Sequence, residues 1–145
     1  MYNESRTDIY DFLYNLFYDV VTKNVYFMSE PQELTKSDTE DGFIVIRLGD
    51  IVDYSEFDME SYGAVRCFVE AYVPTITRGR LDFDKYKEFE DSINEVIKTA
   101  SETTDGEYSV QYGSVLSMED VEDSNANSFF HMFIKSFLIQ IDTQK

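Results

Sequence analysis

Tryptophan is absent from the chain, and histidine and cysteine occur once each, as His131 and Cys67. One cysteine cannot form a disulfide within the chain, and one cysteine with one histidine is too few for a structural zinc site. His131 falls in the most apolar stretch. We expect its ring nitrogens to be hydrogen-bonded within the sheet, and we do not expect it to act as a catalytic base. Cys67 falls in a strand-like stretch and is expected to be a buried, unreactive thiol. We therefore predict no catalytic residue, no metal site and no cofactor.

Long apolar runs are also missing. The most apolar stretch, residues 129–141, is interrupted by His131, Lys135 and Gln140 and is shorter than the roughly 20 residues of a membrane helix. The apolar stretch near the amino terminus is interrupted by Asp8, Asp11 and Asp19, which is not the pattern of a signal peptide. We expect no membrane partner, and a protein that is made in a cytoplasm.

Basic residues are scarce: 12 Lys and Arg stand against 29 Asp and Glu, a formal net charge of −17. A negatively charged surface repels nucleic-acid phosphates and anionic lipid, which disfavours a role in DNA binding. The acids concentrate in three segments that we interpret as loops, 28–42, 49–61 and 117–128, and none has the ligand spacing of a calcium-binding loop. The acidic residues of the last two loops are Asp50, Asp53, Glu56, Asp58, Glu60, Glu119, Asp120, Glu122 and Asp123.

Apolar spacing predicts one α+β domain over residues 1–145. Stretches 8–21 and 84–100 carry apolar side chains at the three-and-four spacing of amphipathic helices. Thr7 or Ser5 can cap the first helix, and Asp82 or Asp84 the second.

Four strands are predicted, at 43–48, 62–73, 108–116 and 129–141. The first two pair most simply as an antiparallel hairpin. The resulting order is α-β-β-α-β-β, which packs as one mainly antiparallel sheet with both helices against it.

Two sets of apolar side chains are candidates for a subunit interface. Three tyrosines recur at a spacing of four beside the apolar face of the first helix, although core packing explains such a stripe at least as well. The last strand is apolar on both faces, so a second copy of the chain could cover part of the face that the helices leave. The candidate interface residues are Tyr10, Tyr14, Tyr18, Phe130, Met132, Ile134 and Leu138.

The order and lengths of these elements resemble the tail-terminator family of tailed bacteriophages, over nearly the whole chain. The resemblance rests on a helix, a hairpin, a second helix and a closing strand pair whose last strand is long and apolar. It implies a non-enzymatic structural protein of the virion, which forms a ring with copies of itself, typically a hexamer built by head-to-tail contacts. The implied partners are the neighbouring connector, neck and tail proteins.

A ring that genome DNA traverses benefits from a negative lumen, because phosphates pass a surface that does not bind them. We therefore expect 49–61 or 117–128 to face the channel. Two other functions stay open: a small acidic dimer resembling the type III secretion chaperones, which would bind an extended client segment, and an enzyme with a carboxylate pair such as Asp50 and Asp53. Solvated acids lack the burial that tunes a general acid, which disfavours the enzyme.

Overall fold

The computed structural model describes residues 6–53, 62–76, 80–103, 108–119 and 130–142. These residues form an α+β fold, as predicted, with three helices and five strands. In chain order the elements are α1 (Arg6–Phe17), β1 (Val25–Phe27), α2 (Lys36–Asp41), β2 (Phe43–Asp53), β3 (Tyr62–Pro74), α3 (Phe83–Ser101), β4 (Tyr108–Glu119) and β5 (Phe130–Asp142). The predicted order α-β-β-α-β-β was incomplete, because it omitted β1 and α2.

Both omitted elements lie between the first helix and the predicted hairpin. Strand β1 pairs in parallel with residues 44–46 of β2. Helix α2 begins after Thr35, whose side chain accepts a hydrogen bond from the Asp38 amide, while the Asp38 carboxylate accepts one from the Thr35 amide. This capping box satisfies two amide donors that the start of a helix would otherwise leave unpaired. The segment 28–42 is therefore partly helical and not wholly a loop.

Several predicted boundaries also move. Helix α1 ends at Phe17, not at residue 21, and the next turn contains Asp19 in the left-handed region, at φ 59°. Thr7 lies inside α1 and is not its cap, whereas Ser5 lies outside the described residues. Asp82 caps α3 by accepting a hydrogen bond from the Lys85 amide, so Asp84 belongs to the first turn.

The five strands form one sheet in the order β1-β2-β3-β5-β4. The predicted hairpin of β2 and β3 is confirmed, and the pairings of β3 with β5 and of β5 with β4 are antiparallel as well. The two 13-residue strands, β3 and β5, pair along their whole length, from Tyr62 opposite Asp142 to Pro74 opposite Phe130. They form the centre of the sheet, a position that no sequence pattern indicated.

Helices α1 and α3 cover one face of the sheet, as predicted. The alternation of strand residues places Val65, Cys67, Val69, Ala71 and Val73 of β3 on that face. Their partners include Ile44, Ile46 and Leu48 of β2 and Phe133, Phe137 and Ile139 of β5. Helix residues fill the other side of the core with Ile9, Leu13, Phe17, Phe89, Ile93 and Ile97. Burial raises the pKa of the free Cys67 thiol well above its ordinary value, so Cys67 is the buried thiol that we expected.

Candidate assembly surfaces

The described residues cover only half the width of the sheet face opposite the two long helices. On the β2 side, Phe43 and Val45 are buried although they point away from α1 and α3. The Phe43 ring stacks on Tyr72 with centroids 4.4 Å apart and meets Phe130 edge-on at 5.2 Å. Phe130, predicted as an interface residue, therefore packs within its own chain.

Residues 28–41 hold this aromatic cluster in place through hydrogen bonds. The Tyr26 hydroxyl donates to Asp38 Oδ1 at 2.7 Å, and burial together with this carboxylate raises the pKa of Tyr26 to about 12. The Tyr72 hydroxyl donates to Glu30, and burial and the nearby carboxylates raise its pKa as well. Segment 28–41 therefore covers the β1–β2 half of this face.

A salt bridge marks the boundary of the covered half. Arg47 Nε lies 2.7 Å from Glu70 Oε2, and this hydrogen bond raises the pKa of the guanidinium. Arg47 also donates to the Met28 carbonyl oxygen, which ties the start of the covering segment to β2.

No described segment covers the β4–β5 half of the same face, and we call this half the open sheet face. It consists of Phe68 on β3, Met132, Ile134 and Leu138 on β5, and Leu116 and Met118 on β4. Leu116 is 59% exposed and Met118 is 56% exposed, whereas the other four side chains are half-buried. Strand register makes these residues neighbours, with Met118 opposite Ile134 and Leu116 opposite Ser136.

Sequence reasoning identified only half of this surface. It named the three β5 residues, because both faces of that strand are apolar, but it missed Phe68 of β3 and Leu116 and Met118 of β4. The missing signal is the register of β4, which shifts between Gln111 and Leu116 and breaks the simple alternation. The Ser114 hydroxyl accepts a hydrogen bond from the Leu138 amide within the irregular stretch, in place of a strand carbonyl.

The three predicted interface tyrosines lie on the helix side of the sheet, in a different place. Tyr10 is only 8% exposed and packs on Phe27, so it exposes little surface for a contact with another subunit. Tyr14 is half-buried and stacks on Tyr18 with centroids 5.1 Å apart, and Tyr18 is 43% exposed. The seven candidate residues therefore do not form one surface, because the tyrosines and the β5 residues lie on opposite faces of the sheet.

The acidic connections are shorter than predicted and leave opposite ends of the sheet. Strand β2 continues to Asp53 and β4 to Glu119, so the expected loops 49–61 and 117–128 both begin as strand. Asp50 is exposed on β2, and Glu56, Asp58, Glu60, Asp120, Glu122 and Asp123 lie outside the described residues. Asp53 pairs with Gly63, whereas Glu119 pairs with Phe133 at the level of Ala71, roughly 25 Å farther along β3.

Three further features bear on function: possible metal ligands, His131 and possible membrane helices. Within the described ranges, no group of three or more His, Cys, Asp or Glu is placed to hold a metal ion. His131 lies in β5 opposite Val73. None of the described helices is both long and apolar enough to cross a membrane.

No family model matches the chain, and no curated protein matches it in sequence. The class is therefore defined by the structure alone. The chain is an α+β protein with two long helices on one face of a mixed five-stranded sheet, and the described residues cover only half of the second face.

Proposed function

We propose that the protein is a structural ring subunit in the neck or tail of a tailed bacteriophage, where it joins tail to head and lines the DNA channel with acidic residues. The open sheet face is the observation that carries this proposal. Among the described residues, two apolar side chains of this face are exposed and four are half-buried, and contiguous apolar surface of this kind marks interaction sites. Association of copies would remove that surface from water.

The distribution of charge supports a channel role. A ring wall whose strands run from the outside towards the lumen presents only one end of each sheet to the DNA. The end that carries the connection 120–129 also presents exposed Glu40 and Asp41 of α2 and Asp84 of α3. We infer that this end faces the lumen, where its carboxylates keep phosphates from binding.

The proposal is tested by removing the protein from the phage that encodes it. Heads and tails should then accumulate without joining, as counted by electron microscopy, and a tagged copy should restore joined particles and lie at the joint. Infectious particles that form without the protein would contradict a role at the head–tail joint.

The channel part has its own test. Replacing Glu119, Asp120, Glu122 and Asp123 by Ser should leave the ring size unchanged and slow DNA delivery. A matched control removes the same charge from three exposed acids of α3, Glu88, Asp91 and Glu95, and from Glu102, which caps its carboxyl end. Equal delivery rates for the two variants would show that this loop does not face the DNA.

A second candidate is a secretion-chaperone-like dimer. Strand β4 lies at the sheet edge and exposes Leu116 and Met118, which suits an extended client segment that adds to the sheet. This candidate predicts a two-fold dimer that binds client peptide, whereas the ring predicts a larger closed assembly. Sedimentation velocity of the purified protein separates the two.

A further inference from the structure

The open sheet face differs from the rest of the surface in its charge. Its central base is Arg66, which lies opposite Leu138 and donates a hydrogen bond from Nη1 to the Ser136 hydroxyl at 3.0 Å. Among the described residues no carboxylate forms an ion pair with Arg66. On the same sheet face Arg47 and Glu70 neutralise one another, and the strand register places Asp142 four residues beyond Leu138 on β5. In a chain of net charge −17, the centre of the open sheet face is therefore apolar and contains one base, Arg66, that forms no ion pair among the described residues.

That charge restricts how two copies can meet. Acidic surfaces of two copies repel one another, so a favourable contact brings the open sheet face against an acidic, apolar patch. A two-fold contact of the open face with itself would instead place the Arg66 side chains of both copies in one interface. Charge complementarity therefore favours a contact between two different patches.

Helix α1 supplies a patch of the required kind. Tyr14 of α1 stacks on Tyr18, the residue that follows the helix, and the exposed Asp11 lies on the same side, one turn before Tyr14 and two turns before Tyr18. The exposed side of α3 carries charged residues such as Lys87, Asp91 and Lys98, and its only exposed large apolar residue in the described chain is Phe83 at its first position. Of the two long helices, α1 thus matches the open sheet face better.

We infer that α1 of one copy docks on the open sheet face of the next, with Tyr18 against Leu116 and Met118 and the acidic side of α1 towards Arg66. This inference rests on the proposed self-assembly and specifies its contact. The added helix would cover the second sheet face as α1 and α3 already cover the first. Because the two patches lie on opposite sides of the sheet, the contact is heterologous and propagates into a ring or a filament.

Matched truncations of three exposed side chains test the contact. Leu116→Ser removes part of the open sheet face, Tyr18→Ser removes the aromatic tip of α1, and Phe83→Ser removes a 76% exposed aromatic that lies in neither patch. All three keep the net charge. Each of the first two should weaken association at least about tenfold in sedimentation velocity, and the third should not, because central aromatic and apolar anchors dominate binding. Circular dichroism and thermal unfolding check that each variant is folded.

Mixing the two defective variants shows the polarity of the contact. The intact α1 of the Leu116→Ser chain can dock on the intact face of the Tyr18→Ser chain, but the reverse junction is defective twice. An equal mixture should therefore form heterodimers and no rings. Rings from the mixture, normal assembly of either variant, or loss of assembly in Phe83→Ser would overturn the inference.

The outcome is separable from that of the proposed function. A wild-type chain that stays monomeric up to about 1 mM would overturn the inference. Rings that depend on both patches but are absent from phage particles would refute the phage role and leave the contact standing. Variants that assemble normally into particles would refute only the contact.

Discussion

Lys135 of β5 and Glu90 of α3 form an ion pair across the helix–sheet interface, with Nζ 3.0 Å from Oε2. The lysine side chain is 5% exposed and the glutamate side chain 38% exposed. The ammonium also donates to the Ser117 hydroxyl at 2.6 Å, so one buried base links β5, β4 and α3. The two partners are not equivalent, because only the carboxylate reaches water.

This asymmetry predicts unequal effects of removing each partner. Glu90→Ala should lower the free energy of unfolding by about 1–3 kcal/mol, since it leaves a buried ammonium without its counter-ion. Lys135→Met keeps the aliphatic contacts and leaves a carboxylate that water can solvate, and should cost at most about 1 kcal/mol. Urea denaturation of both variants measures the difference. Equal losses would show that water already solvates the ammonium.

Gly42 is expected to tolerate no side chain. Its φ of 80° favours glycine, and an added Cβ would lie 2.5 Å from the Tyr72 carbonyl oxygen and 2.9 Å from Pro74 Cδ. Gly42→Ala should cost about 2–4 kcal/mol, because strained backbone and overpacking add.

Gly49 of β2 provides the control for Gly42. The nearest atom to an added Cβ there is the Arg66 carbonyl oxygen at 3.5 Å, an ordinary contact. Gly49→Ala should therefore change the free energy of unfolding by less than about 1 kcal/mol. Thermal unfolding that ranks the two substitutions in the reverse order would contradict the close approach of β3 to Gly42.

The extent to which the fold was predictable follows from the range of the interactions. The odd-numbered apolar positions of 65–73 identify β3 and its buried face, because alternation is a local signal. Strand β1 has three residues and a parallel partner about 20 positions away, so no local pattern specifies it. Helix α2 has a capping signal in Thr35 and Asp38 but no apolar stripe.

The same distinction applies to the candidate surfaces. The double-sided apolar pattern of β5 indicated that a second face needed cover, but which part segment 28–41 already covers depends on tertiary contacts. The contact of Glu30 with Tyr72 joins residues 42 positions apart. Sequence also placed the acidic connections without showing that they leave opposite ends of the sheet, since strand order decides that.

Cys67 should report on opening of the core. Its thiol lies at the centre of the helix-covered face, is fully buried, and has a raised pKa because burial disfavours the thiolate. A thiol-specific reagent should therefore label the native protein only through opening of the core, and the labelling rate should rise with urea in step with unfolding. Rapid labelling in the absence of urea would contradict the packing of β3 beneath α1 and α3.

The hydrogen bond of Tyr26 to Asp38 in segment 28–41 makes the stability of the fold depend on pH. Its pKa is raised from 10.0 to about 12, first by burial and then by the hydrogen bond to Asp38. A pKa that is higher in the folded state means that the neutral phenol stabilises the fold. The contribution is complete below pH 10 and is lost as the pH rises towards 12.

Tyr26→Phe isolates this contribution. The variant should lose about 1–2 kcal/mol at neutral pH, because the fully buried Asp38 carboxylate loses a donor. Its stability should then fall less steeply than that of the wild type as the pH rises above 10, although the raised pKa of Tyr72 contributes to the slope in both proteins. Chemical denaturation at a series of alkaline pH values measures both slopes. Identical slopes would mean that the Tyr26 hydroxyl ionises as readily in the folded protein as in the unfolded chain, and that Asp38 does not hold the covering segment through it.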